Sequence, residues 1–131
     1  MYPASALPRV YQRIRALPAG TVVAEFPFGD AAWEIRAVYY AAAHDKPVLN
    51  GYSGAFPPAY LTRAAALRLF AEDGDRAWQA LVDAGTTHVV VHIPAFKNPD
   101  RGRQLLSWLE TRGARYVESF PEGDAIYEMP R

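Results

Sequence analysis

Apolar positions along the chain recur with two different periods, and their alternation predicts a domain of mixed helix and strand. Leu7, Val10, Tyr11, Ile14 and Leu17 fall at helical spacing with Arg9, Gln12, Arg13 and Arg15 on the other side, and Pro18-Ala19-Gly20 stops the pattern. Thr21 to Phe26 is a β-branched and apolar run that ends at Pro27-Phe28-Gly29, the signature of a buried strand and turn. Asp30 follows as an N-cap for a helix through Trp33, Ile35, Val38, Tyr39 and Ala42 that ends near His44. Pro47 to Leu49 reads as a short strand, and Asn50-Gly51-Tyr52-Ser53-Gly54 with Pro57-Pro58 as a loop. Helices are expected over Tyr60 to Ala71 and from an N-cap at Asp75 through Trp78, Leu81 and Val82 to Gly85.

Thr87 to Ile93 is the strongest strand, because three consecutive valines suit a strand covered on both faces, and a central position follows. Asp100 to Arg112 places Leu105, Trp108 and Leu109 on one helical face before Gly113 stops it. Arg115 to Phe120 and Ala125 to Met129 form a hairpin around Pro121-Glu122-Gly123-Asp124. Strands alternating with helices predict a single α/β domain over residues 1–131, a three-layer Rossmann-like or flavodoxin-like sheet. That sheet is expected to be mostly parallel, with an antiparallel C-terminal hairpin strand at or near one edge. Ligands of such sheets sit beyond the carboxyl ends of the strands. Here that rim would gather Phe26 to Gly29, Asn50 to Gly54 and His92 to Lys97.

Composition narrows the functional classes. The chain has 131 residues, half of them hydrophobic, 13% aromatic and 21% charged, enough for a core and unlike a disordered chain. Fourteen basic and fourteen acidic side chains cancel, so no bulk attraction to nucleic acid or anionic lipid is expected. With no cysteine there are no disulfides, thiolate metal sites or cysteine nucleophiles. The first residues lack the pattern of a secretory signal, and the longest apolar runs, such as Ala37 to Ala43, fall short of a membrane span, so the chain as given is expected to be soluble.

Cofactor motifs are missing. The first strand ends in Phe26-Pro27-Phe28-Gly29-Asp30, without the glycine fingerprint for dinucleotides or a P-loop, and no cofactor is expected. His88 and His92 are four residues apart, which on a strand is about 13 Å. They point the same way without meeting, His88 at the strand entrance and His92 at its exit, so no metal site is expected. Only His92 lies where a ligand would be. His44 suits a helix C-terminus, and Asp30 with Glu34 either starts a helix or forms a carboxylate pair. Ser53 lacks the Gly-x-Ser-x-Gly context of a nucleophile elbow. The stretch from Asn50 to Tyr60 is the most distinctive. Its glycines allow backbone conformations closed to other residues, and Tyr52, Phe56 and Tyr60 offer aromatic faces to sugars, lipid headgroups or protein, unless they pack on the sheet edge. Tyr39 and Tyr40 are candidates to line the same region.

Leu17-Pro18-Ala19-Gly20, Val22-Val23-Ala24-Glu25-Phe26-Pro27-Phe28-Gly29, Tyr39-Tyr40 with Ala43-His44, and Lys46-Pro47-Val48-Leu49-Asn50-Gly51-Tyr52-Ser53-Gly54 together carry a family likeness. The chain resembles the soluble C-terminal extracytoplasmic domain of bacterial GT-C type membrane glycosyltransferases, related to protein O-mannosyltransferases and aminoarabinose transferases. Val89-Val90-Val91-His92 and the hairpin through Asp124-Ala125-Ile126-Tyr127 fit the same pattern, so the likeness covers nearly the whole chain. It implies a parent enzyme that transfers sugar from a polyprenyl-phosphate donor outside the cytoplasm. The family's catalytic carboxylate lies in a loop between early transmembrane helices that this chain does not contain, so no catalytic residue carries over.

The leading expectation is therefore a non-catalytic accessory domain that recognises a glycan or protein acceptor beside a membrane-embedded catalytic part. Its contacts would come from Tyr39, Tyr40, Asn50, Gly51, Tyr52, Ser53, Tyr60 and His92. It would be extracytoplasmic as part of a membrane parent and cytoplasmic if complete as given. The alternatives are a standalone protein- or glycan-binding assembly module, such as a homodimer through a sheet edge or the aromatic loop, and a small enzyme pairing His92 with Asp30 or Glu34.

Overall fold

The computed structural model describes residues 8–28 and 58–130. Among the described residues the helices are α1 (Arg9–Arg15), α2 (Pro58–Arg68), α3 (Gly74–Asp83) and α4 (Pro99–Thr111). The strands are β1 (Val23–Phe26), β2 (His88–His92), β3 (Arg115–Ser119) and β4 (Asp124–Glu128). A short 3-10 turn, Ile93–Ala95, leads from β2 toward α4. The strands form one open sheet in the order β1-β2-β4-β3. β1 runs parallel to β2, and β4 is antiparallel to both β2 and β3.

This sheet is mixed, which corrects the expectation of a mostly parallel one: among the described strands one pair is parallel and two are antiparallel. The tight turn at residues 120–123 joins β3 and β4 as an antiparallel hairpin, and β4, the buried strand of the two, is the one that sits beside β2. The proposed helix from Asp30 to His44 and the strand Pro47 to Leu49 lie outside the described residues. β2 is central as expected, with β1 on one side and β4 on the other, and all five of its residues are buried.

Strand alternation divides the core in two. Ala24, Phe26, Val89, Val91, Ala125 and Tyr127 face a cluster built with Leu67 and Phe70 near the end of α2, Leu81 of α3, and Leu105 and Leu109 of α4. Each fully buried side chain of this kind contributes about 1.5–3 kcal/mol. On the other face Val23, Val90 and Ile126 meet Val10, Tyr11, Ile14 and Leu17 of the α1 segment. Val10, Tyr11, Ile14 and Leu17 of the apolar stripe thus cover this face of the sheet.

Local chemistry sets the helix ends. Asp73, rather than Asp75, caps α3, accepting from the Arg76 amide at 3.3 Å. Asp75 falls inside the first turn and pairs instead with Arg112 at 2.7 Å. Asn98 caps α4 by accepting from the Asp100 amide at 3.0 Å. Gly102 lets α4 press against the 3-10 turn, since a Cβ there would stand 2.9 Å from Ile93 Cδ1. An extra residue at Val117 shifts the β3–β4 register.

Candidate functional site: a buried histidine between two carboxylates

The face of the sheet under α1 is apolar except where β1, β2 and β4 bring charged side chains together. Alternation puts Val23 and Glu25 of β1, Val90 and His92 of β2, and Asp124 and Ile126 of β4 on that face. His92 and Asp124 lie directly opposite in the antiparallel register. Glu25, His92 and Asp124 are 2%, 2% and 7% exposed, so the charges are held inside the protein.

The histidine ring is engaged on both sides. Its Nδ1 lies 2.7 Å from Asp124 Oδ1 and its Nε2 lies 2.7 Å from Glu25 Oε1. From α1, the Tyr11 hydroxyl donates to the same Glu25 oxygen at 2.6 Å and stands 3.5 Å from His92 Nε2. A ring facing a carboxylate oxygen through each nitrogen is best satisfied as imidazolium, donating from both, and the short distances are those of charge-assisted bonds. Burial works against the charge, but the hydrogen bonds and charges of Asp124 and Glu25 outweigh it and raise the His92 pKa to about 9. The ring is therefore protonated at neutral pH.

His88, on the same face of the same strand, is in the opposite state. Burial lowers its pKa; Glu128, 3.9 Å away, opposes this, and Arg13 and Arg115 add to it. Its Nδ1 meets Thr87 Oγ1 at 2.9 Å, and that hydroxyl also accepts from the Val22 amide at 2.8 Å. The two histidines point the same way without meeting, as the spacing predicts, but His92 is far from an ordinary strand-end residue. Among the described residues no group of three or more histidine and carboxylate side chains could hold a metal ion.

Chemically this arrangement is a clasp. Both nitrogens of the ring are occupied and a helix covers it, so a substrate reaches His92 only if α1 moves away. The strength of a buried pair lies in its being complete: removing one member strands the other and costs about 3–5 kcal/mol. Tyr11, Glu25, His92 and Asp124 come from four elements, and their mutual bonds fix α1 over the carboxyl end of β1 and β2.

Of the side chains proposed to bind a ligand, His92 is the one whose surroundings the structure describes, and they are these carboxylates. Tyr60 lies in the first turn of α2, its side chain outside the described residues. Tyr39, Tyr40, Asn50, Gly51, Tyr52 and Ser53 also lie outside them, as do Asp30 and Glu34, the suggested acid-base partners of His92. The sequence reading did not single out Tyr11, Glu25 or Asp124. A usable signal existed for Glu25: it is the single charged residue in the otherwise apolar run from Val22 to Phe26.

No family model matches the chain, and no curated protein does. A solved structure shares its fold. The crystal structure of the C-terminal globular domain of oligosaccharyltransferase from Archaeoglobus fulgidus superposes with a TM-score of 0.56, covering 99% of this chain and 99% of that one. Identity is 13%, so the likeness is one of fold, and no residue role passes from one to the other. No helix among the described residues is long and apolar enough to cross a membrane.

Proposed function

We propose that this chain is a non-catalytic accessory domain of a membrane glycosyltransferase that uses a polyprenyl-phosphate sugar, serving to recognise the acceptor. The observation that carries the reading is the end-to-end fold likeness to a C-terminal globular domain of an oligosaccharyltransferase, which spans 99% of both chains. Independent support comes from the Asn50-Gly51-Tyr52-Ser53-Gly54 run and its flanking strands, which resemble the extracytoplasmic domain of bacterial O-mannosyltransferase-like enzymes. The closed environment of His92 agrees with a domain that does no chemistry through that residue. In this reading the domain faces outward and rests on the membrane-embedded catalytic part, and Tyr39, Tyr40, Asn50, Gly51, Tyr52, Ser53 and Tyr60 supply acceptor contacts.

The test is to assay sugar transfer from a polyprenyl-phosphate donor with the purified chain and with membranes of the native cell. Activity is expected in the membranes, and it should be depleted after detergent extraction by an antibody against this domain. Transfer or donor hydrolysis by the purified chain alone, or membrane activity that the antibody does not deplete, would overturn the proposal.

A further inference from the structure

The end of the sheet away from His92 holds a second polar group, at the amino ends of β1 and β2. A cavity of about 440 Å³ opens there between the segment 17–21, which leads from α1 into β1, and the outer ends of β3 and β4. Arg13, Arg115, Glu128 and His88 line it, and His88 is only 7% exposed. The strand registers set Val23, His88, Glu128 and Arg115 in one row across β1, β2, β4 and β3, while Arg13 comes from α1 on the same face.

The proton of neutral His88 is assigned from its neighbours. The Thr87 hydroxyl accepts from the Val22 amide at 2.8 Å, so its one proton goes to the Val22 carbonyl at 3.1 Å or to His88 Nδ1 at 2.9 Å. Giving it to Nδ1, the nearer acceptor, puts the ring proton on Nε2, the nitrogen that faces Glu128. The other tautomer would set a nitrogen lone pair toward that carboxylate. Nε2–H is thus a donor, and at 3.9 Å from Glu128 Oε2 it is too far for a hydrogen bond. A buried ring of this kind is expected to have both nitrogens engaged. Here one donor is left over, on the side turned from the strand backbone toward the cavity wall.

The arginines also have donors to spare. Arg13 reaches Glu118 through Nε at 3.0 Å, which leaves both Nη groups of its guanidinium, and Glu118 is not part of the cavity wall. Arg115 holds Glu128 through Nη2. The wall therefore carries two positive charges against one negative, in a chain whose charges cancel as a whole. Burial keeps His88 neutral, with Glu128 opposing and the charges of Arg13 and Arg115 assisting. A group with several oxygens and a negative charge satisfies the surplus donors and the surplus charge together. A neutral hydroxyl compound would leave the charge unmatched, and a cation would be repelled by it.

We infer that this cavity binds a small oxyanion, a phosphate or carboxylate group, held by the Nη groups of Arg13, by Arg115 and by the Nε2–H of His88. The inference goes beyond the accessory-domain reading and does not depend on it.

The experiment is an NMR titration of the whole chain at neutral pH and constant ionic strength, following the histidine rings, with inorganic phosphate, acetate and chloride as separate probes. The expected result is a saturable shift of the His88 ring signals with phosphate, acetate or both, while those of His92 stay in place; which of the two binds separates a phosphate from a carboxylate ligand. Arg13→Gln, a change at a partly exposed side chain, should weaken that binding about tenfold and leave the rest of the spectrum as it was. No shift at His88 with phosphate or acetate, an equal shift with chloride, or undiminished binding by Arg13→Gln would overturn the inference. Each of these results leaves the accessory-domain reading intact, because that reading is judged by membrane activity and antibody depletion.

Discussion

Replacing His92 with glutamine removes the positive centre of the buried cluster while keeping a planar side chain that can still hydrogen-bond. In the wild-type protein the folded state binds a proton at His92 with a pKa of about 9, against 6.5 for a free histidine. Between those values the folded chain holds more protons than the unfolded one, so stability falls as pH rises. The contribution is complete below about pH 6.5 and is lost through about pH 9; a difference of this size corresponds to about 3 kcal/mol. Set against a usual total of roughly 5–15 kcal/mol, that is a large share. His88 works in the opposite direction and in another window: its lowered pKa removes stability only as pH falls through the unfolded value, so it does not mimic the His92 effect above pH 7.

The assay is urea unfolding followed by circular dichroism at pH 7, 8, 9 and 9.5. The wild-type midpoint should fall steadily across the series with the slope m unchanged. His92→Gln should be less stable at pH 7 by about 3–5 kcal/mol, because it leaves two buried carboxylates without their cation, and its midpoint should be nearly flat with pH. A wild-type midpoint that is constant or rises over this range, or a variant that keeps the wild-type slope, would refute the argument that His92 is held protonated by Glu25 and Asp124.

Two further substitutions probe the frame around the cluster. Tyr11→Phe keeps the buried ring and removes only the hydroxyl that donates to Glu25 at 2.6 Å, so thermal and urea unfolding should show a loss of about 1.5–3 kcal/mol; a change near zero would mean the bond does not hold α1. Gly123→Ala forces a side chain onto φ +99° and 2.7 Å from Pro94 Cγ, a ring that cannot swing aside, and should cost about 2 kcal/mol or more by urea unfolding; wild-type stability would show the turn to be looser than described.

Much of the fold can be read from periodicity because each element carries its own pattern. β2 is three valines between histidines, α4 keeps its apolar face until Gly113, and the turn residues from Pro121 mark the hairpin. Two aspartates flank Gly74 and either suits a helix cap by sequence; only the geometry shows that the Arg76 amide meets Asp73 and not Asp75. The order β1-β2-β4-β3 depends on which side of the hairpin reaches β2, a choice made by burial of Ile126 and Tyr127 rather than by any local signal.

The site was harder to see. His92 meets Glu25 across 67 positions and Asp124 across 32, so the cluster exists only once strand register is known. Tyr11 serves as an apolar helix residue and as a donor at once, and periodicity reports only the first role. Asp124 looks like the last residue of a turn but is the first of β4, directly opposite His92. Of the three partners of His92, Glu25 alone carries a signal in the sequence, as a carboxylate inside an otherwise apolar strand.

The central claim, that this domain serves a membrane glycosyltransferase, is tested most directly by immunoblotting fractionated native cells with an antibody raised against the chain. The account predicts a band far above 14.5 kDa in the membrane fraction. A soluble band at 14.5 kDa, with none in the membranes, would contradict it and leave an independent binding module.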